Sequence, residues 1–189
     1  MPGSTRRLPH PLVVGAAALF VLGLAACSGE SEPTPAPSTA ATETAEAEPI
    51  FASDEEALAA AVAAHEAYLD ATAAVSAEGG SAPDRVLVLT TGDYRSAIEK
   101  ELQGMADAQV RVTGRNTLRD ARLAQYDPAS GVIQMYGCFG VGDTRVINAS
   151  GEDVTPEREA EVPVLLTFQL AGDTPLISGS EVWPGDDFC

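Results

Sequence analysis

The chain has 189 residues, 45% of them hydrophobic, and a formal net charge of -17. That length suits one domain with tails. The first 26 residues hold Arg6 and Arg7 and no acid, so the acidic excess falls on the remainder, which repels phosphate backbones and argues against nucleic acid as a partner.

After Arg6 and Arg7, Leu12 to Ala26 is an uncharged apolar run. A spanning helix needs about 20 apolar residues. The run is too short for that and suits the core of a signal peptide over residues 1–26. It ends Leu24-Ala25-Ala26-Cys27. In this position the tetrapeptide resembles the lipobox of bacterial lipoproteins. The resemblance implies cleavage before Cys27 and acylation of its thiol, an anchor of more than one chain that includes palmitate. It also implies a lipid-anchored protein on the extracytoplasmic face of a cell membrane. An ordinary secretory signal with a chance cysteine is the alternative. Thr5-Arg6-Arg7-Leu8 hints at twin-arginine export, but Pro9-His10 replaces the apolar pair such a signal carries.

Residues 27–50 join this cysteine to the domain. Ser28 to Pro49 is Ser, Thr, Pro, Ala, Gly and Glu, with no aromatic and no positive charge. Such a segment cannot bury enough apolar surface to offset chain entropy, which predicts a disordered acidic tether. Its average span is roughly 25 Å. An O-glycosylated or wall-interacting stretch fits the same composition.

The domain runs from residue 51 to residue 189. Ser53 with Glu56 forms a capping box, and Asp54 and Glu55 put acid in the first turn of a helix. Leu58, Val62, His65, Leu69, Thr72 and Val75 recur at helical steps, and Gly79-Gly80 ends the pattern. Residues 82–92 read either as a short helix opening near Pro83 or as a strand over Val86 to Leu89. A second helix follows, with Tyr94, Ala97, Ile98, Glu101, Leu102 and Met105 on one stripe. Beyond Ala108 the period shortens. Strand patterns cover the stretch after Val110, then Val132 to Phe139, a short piece from Thr144, Glu161 to Leu170, and Pro175 to Trp183. Val162, Val164, Leu166, Phe168 and Leu170 share one face of their strand. Helices first, then four to five strands joined by short turns, predict an α+β fold with N-terminal helices on a curved antiparallel sheet, a cone or roll.

That order resembles the nuclear transport factor 2-like superfamily of α+β cones, as found in small actinobacterial lipoproteins. The features that carry it are the helix over 53–78, Gly92-Asp93-Tyr94-Arg95 opening the next one, the turn at Asn148 to Thr155, and the closing strand before a last cysteine. The resemblance implies a pocket between helices and sheet. It does not imply an activity, because the superfamily includes isomerases, dehydratases, ligand binders and proteins with no known chemistry.

With Cys27 assigned to the anchor, Cys138 and Cys189 remain. Two cysteines in a compartment that permits disulfides are most simply one bridge. Two free thiols is the other reading. A metal site lacks a second pair of soft ligands. Asp143, Asp186 and Asp187 fit no D-x-[DN]-x-[DN]-G loop and read as solvated acids. His65 is the one histidine beyond the signal peptide and falls on the apolar stripe near Tyr68 and Asp70. In a cone pocket it could act as an acid or base; its bland role is a boundary histidine held by a neighbour. Trp183 reads as a core plug at the cone mouth, and His65, Tyr68 and Trp183 are the candidate pocket residues. No P-loop, G-x-G-x-x-G, G-x-S-x-G or H-E-x-x-H motif occurs, and no cofactor is expected. The expected function is a non-catalytic module that binds a cell-envelope protein or a small apolar ligand. The alternative is an isomerase- or dehydratase-type enzyme using His65.

Overall fold

The computed structural model describes residues 49–185 and Cys189. The signal peptide, Cys27, the tether up to Glu48 and the Asp186–Asp187 pair lie outside the described residues. No helix among the described residues is long and apolar enough to cross a membrane.

Helix α1 spans Asp54–Ala77. The Ser53 hydroxyl accepts from the Glu56 backbone N–H, and the Glu56 carboxylate accepts from Ala52 N–H at 2.8 Å. These contacts satisfy donors that the helix start would otherwise leave open. The helix buries Ala57, Ala61, His65, Tyr68, Leu69 and Val75. Leu58 and Val62, expected on the inward stripe, are only partly buried. The inward face is rotated toward the alanines because a methyl side chain lets the helix axis approach the sheet closely. At the far end Gly80 has φ +84, and a Cβ there would sit 2.3 Å from the Leu102 carbonyl oxygen. Only glycine permits that approach.

The ambiguous stretch that follows takes the helical reading, and no strand forms over Val86 to Leu89; only an isolated bridge at Thr90 pairs with Ile177. A single-turn helix α2, Asp84–Leu87, buries Val86 and Leu87. The chain then runs beside the last strand. Thr91 N–H donates to Ile177 O at 2.9 Å, and Ile177 N–H donates to Leu89 O at 3.0 Å. Helix α3, Gly92–Ala108, presents Ile98 and Leu102 to the core.

Six strands complete the domain: β1 Arg111–Thr113, β2 Thr117–Asp127, β3 Val132–Gly140, β4 Arg145–Ile147, β5 Glu161–Ala171 and β6 Thr174–Val182. The main sheet is antiparallel with order β2-β3-β5-β6, and β1 pairs with β4 in a separate two-stranded sheet. Register shifts in β2 between Arg119 and Arg122 and between Leu123 and Gln125 mark bulges. Asp120, with φ 55, lies in the first of them. Bulges bend a strand and increase its twist, which suits a curved sheet.

Alternation sorts the sheet's two faces. Ile133, Met135, Val164, Leu166, Phe168 and Ile177 join the core with Ala57, Ala61, Leu69, Val86 and Leu102. Full burial of each large aliphatic or aromatic side chain contributes about 1.5–3 kcal/mol. Gly137 belongs to the same inward row, and Leu118 from β2 occupies the space its side chain would take. Tyr136 and Cys138 therefore point to the outer face.

Candidate functional site

The first candidate is the environment of His65. Its residue surface is 2% exposed, and it lies between Ala61 and Leu69 on the buried face of α1. Nδ1 has no hydrogen-bond partner. Burial lowers the imidazole pKa to about 4; the neighbouring Glu66 carboxylate opposes this and Arg115 adds to it. The ring is thus neutral near pH 7. Its centroid is 5.9 Å from that of Tyr68. The Tyr68 and Tyr94 hydroxyls are 3.2 Å apart and join α1 to α3. Burial raises the pKa of both phenols, so both stay protonated at neutral pH.

Asp70 does not orient His65. Its carboxylate accepts from Arg115 Nε at 2.6 Å on the surface, while the same guanidinium pairs with Glu66. Glu66 and Asp70 stand one turn apart on α1, so Arg115 straps the loop between β1 and β2 to the helix beside the buried imidazole.

Trp183 does not plug the core. It is 38% exposed and packs edge to face on Tyr136, with ring centroids 4.9 Å apart. The reason is register. Val182 opposes Val164, which faces the core. Trp183, the next residue, therefore points the other way, and its N–H donates to Pro163 O at 2.8 Å. Cys138 pairs with Pro163 in register. Cys138, Pro163 and Trp183 accordingly form one row across the outer face. The Cys138 and Cys189 sulfurs are joined at 2.24 Å, with their Cα atoms 5.6 Å apart. The three residues expected to share a pocket are thus divided: His65 and Tyr68 lie inside and Trp183 lies on the far side of the sheet.

Surface clefts occur elsewhere. One of about 510 Å³ lies between the ends of α1 and α3 and the turn after β4, touching Glu78, Gln109, Arg111 and Asn148. A second of about 420 Å³ lies between the first turn of α1 and β2, touching Asp54, Leu58 and Tyr126. Two smaller ones, of about 230 and 270 Å³, adjoin Arg145 with Arg158 and Arg115 with Glu161. None of the four is lined by His65, Tyr68 or Trp183. Among the described residues, no three His, Cys, Asp or Glu side chains gather to hold a metal ion.

Sequence reasoning did not single out Tyr94, Tyr136 or Arg115. Tyr94 was legible only as one position on the α3 stripe. Tyr136 carried the one usable signal, since it lies two residues before Cys138 on a strand and so shares its face.

No family model matches the chain, and no curated protein matches it. Among solved structures it is similar to the intermembrane space region of chloroplast protein ARC6 at 9% identity and TM-score 0.48, covering 68% of this chain and 97% of that one. It is similar to the beta subunit of benzoate 1,2-dioxygenase from Burkholderia mallei ATCC 23344 at 12% identity and TM-score 0.41, covering 67% and 95%. It is also similar to Aln2 from a Streptomyces species at 11% identity and TM-score 0.42, covering 66% and 87%. Likenesses this distant carry no argument about activity. The fold rests on the architecture itself: helices packed on a curved antiparallel sheet, the α+β cone expected from the order of elements.

Proposed function

We propose that the chain is a lipid-anchored lipoprotein on the extracytoplasmic face of a bacterial membrane. Its cone domain acts as a non-catalytic module that binds a cell-envelope protein or a small apolar ligand. The anchor is supported by Arg6-Arg7, the apolar run and Leu24-Ala25-Ala26-Cys27. The non-catalytic reading is carried by the filled interior. His65, Leu69, Ile133, Met135, Leu166, Phe168 and Ile177 are all essentially inaccessible. An imidazole at 2% exposure is closed off from solvent in this conformation.

Two measurements test this. Labelling with a palmitate analogue is expected to disappear in Cys27→Ala; persistent labelling removes the anchor. Crosslinking of the lipidated protein in its own membranes is expected to yield one stoichiometric envelope protein or one apolar ligand, equally well in His65→Gln. Recovery of neither removes the binding reading.

A second reading, an isomerase- or dehydratase-type enzyme acting through His65, draws on one observation. The unpaired Nδ1 belongs to a neutral imidazole whose ring lies near the protonated phenol of Tyr68, itself in contact with Tyr94. It requires the interior to open. A solvent-exchange rate for the core amides around His65 no faster than that of global unfolding removes it.

A further inference from the structure

The cleft of about 510 Å³ lies where α1 and α3 end, β1 begins and the turn after β4 starts. Its volume is in the range of small-molecule sites. Pairing of β1 with β4 sets Arg111 beside Ile147, and Ala77, Ala106, Val110, Ile147 and Ala149 supply an apolar wall. Most of the polar side chains in the lining are already engaged. Glu78 accepts from Arg85, the Ser81 hydroxyl donates to Glu78 O, and the Asn148 amide is held by Ser150 and Glu152. Gln109 and Arg111 are left over. Both are exposed, and neither side chain forms a hydrogen bond or ion pair within the described domain. Other cations of this acidic chain are occupied: Arg85, Arg115, Arg119 and Arg145 hold carboxylates, and Arg95 and Arg158 hold carbonyl oxygens. Lys100, the other described cation without a partner, lines none of the clefts described above.

The same cleft offers the opposite charge as well. Helices α1 and α3 both end at it with no basic residue in the last turn. A helix C-terminus carries roughly half a negative charge. Ala77 O, the last carbonyl of α1, accepts no hydrogen bond from the described residues, and Glu78 adds a carboxylate.

We propose that this cleft binds a free α-amino acid with an aliphatic side chain. The ligand carboxylate pairs with the Arg111 guanidinium, whose fork matches a planar carboxylate in two parallel hydrogen bonds. The free amide of Gln109 adds a donor. The ligand ammonium is held by the two helix ends and Glu78, and the aliphatic side chain lies on the apolar wall. A ligand of one charge satisfies only half of this lining: a simple anion meets two helix C-termini and a carboxylate, and a simple cation meets Arg111. The site goes beyond the binding role proposed above. It lies outside the helix–sheet interior and holds whether or not Cys27 is acylated and whether or not an envelope partner exists.

The test uses the full chain in detergent, isotope-labelled for amide spectra. L-leucine is the probe. Leucinamide, which lacks the carboxylate, and isocaproate, which lacks the ammonium, are the comparisons. Leucine is expected to bind with a Kd of about 1 mM or tighter and to shift the amides of Gly79, Val110 and Ala149. Each analogue is expected to bind at least about tenfold more weakly, for want of one charge-assisted contact. Arg111→Met is expected to weaken leucine by the same factor with far-ultraviolet circular dichroism and thermal midpoint unchanged, since the side chain is exposed and unpaired. Ala149→Phe, which fills the cleft from an exposed turn and leaves Arg111 in place, is expected to abolish the shifts. The proposal is overturned by no leucine-dependent shift at about 10 mM, by an analogue that binds as well as leucine, by undiminished binding in either folded variant, or by shifts centred away from the cleft.

Discussion

Tyr136 and Trp183 meet edge to face, ring centroids 4.9 Å apart, on the side of the sheet away from the core. Tyr136 comes from the middle of β3 and Trp183 from just past the end of β6, and Pro163 on β5 lies between their strands. Aromatic pairs of this geometry contribute roughly 0.5–1.5 kcal/mol beyond area burial. Trp183→Ala is therefore expected to reduce stability by about 1–2 kcal/mol in a urea titration, with unchanged far-ultraviolet circular dichroism. Phe168→Ala, which empties a fully buried position of the core, is expected to cost about 3–5 kcal/mol. Equal costs would mean that Trp183 is part of the core after all.

That contrast shows what the sequence could convey. The alternating apolar row of β5 and the capping box at Ser53 encode local geometry, and both are visible in single residues. The inward face of α1 was harder to read. Ala57 and Ala61 are fully buried, but alanine is common on both sides of this helix and gives little contrast between faces. Residues 82–92 combine a helix start with strand-forming side chains; the helix prevails, and tertiary pairing with Ile177 is confined to the residues just after it. A large aromatic side chain after an alternating strand suggests burial, and Trp183 departs from that expectation. Register against β5 and the chain end bound to Cys138 place it outside, and neither is written in the local pattern.

Two glycines make opposite predictions. Gly80 holds φ +84 with the Leu102 carbonyl oxygen 2.3 Å from any added Cβ. Gly80→Ala forces α1 and α3 apart as well as straining the backbone, and is expected to cost more than about 2 kcal/mol. Gly104 sits in the exposed interior of α3 with nothing within 4 Å of an added Cβ. Gly104→Ala is expected to raise stability by about 0.5–1 kcal/mol through helix propensity alone. Thermal melts of the two variants should move in opposite directions. A stable Gly80→Ala protein would show that the close approach between the helices is relaxed at no cost.

Arg115 spans Glu66 and Asp70 with its side chain about one-third exposed. Partly solvated pairs are weak, typically about 0–1 kcal/mol, but a guanidinium shared by two carboxylates loses less freedom per contact. Arg115→Met is expected to cost about 1 kcal/mol at low salt and less at about 1 M salt, where screening shortens the reach of charge. The measurement is the urea midpoint at both ionic strengths. A cost that does not shrink with salt would mean that the side chain acts by packing instead of charge.

His65 sets the pH dependence. Its folded pKa is lowered from 6.5 to about 4, chiefly by burial. Between those values the unfolded chain binds a proton that the folded chain refuses, so stability rises with pH across the window. The contribution is fully present above pH 6.5 and is lost as the pH falls toward 4. The slope is about 1.4 kcal/mol per pH unit, for a total of about 3 kcal/mol. The carboxylates with lowered pKa values, Glu55, Asp127, Glu152 and Asp153, lie at the surface, and their contributions are lost only as the pH falls through and below their ordinary values of 3.8 and 4.5. The interval from pH 6.5 to 4.5 thus isolates the imidazole. Unfolding free energies in urea at half-unit steps should fall steadily for the natural chain over that interval. They should stay nearly flat for His65→Gln, a substitution that keeps a polar side chain of similar length without the titration. An equally steep fall in the variant would place the acid sensitivity elsewhere and leave His65 as a silent occupant of the core.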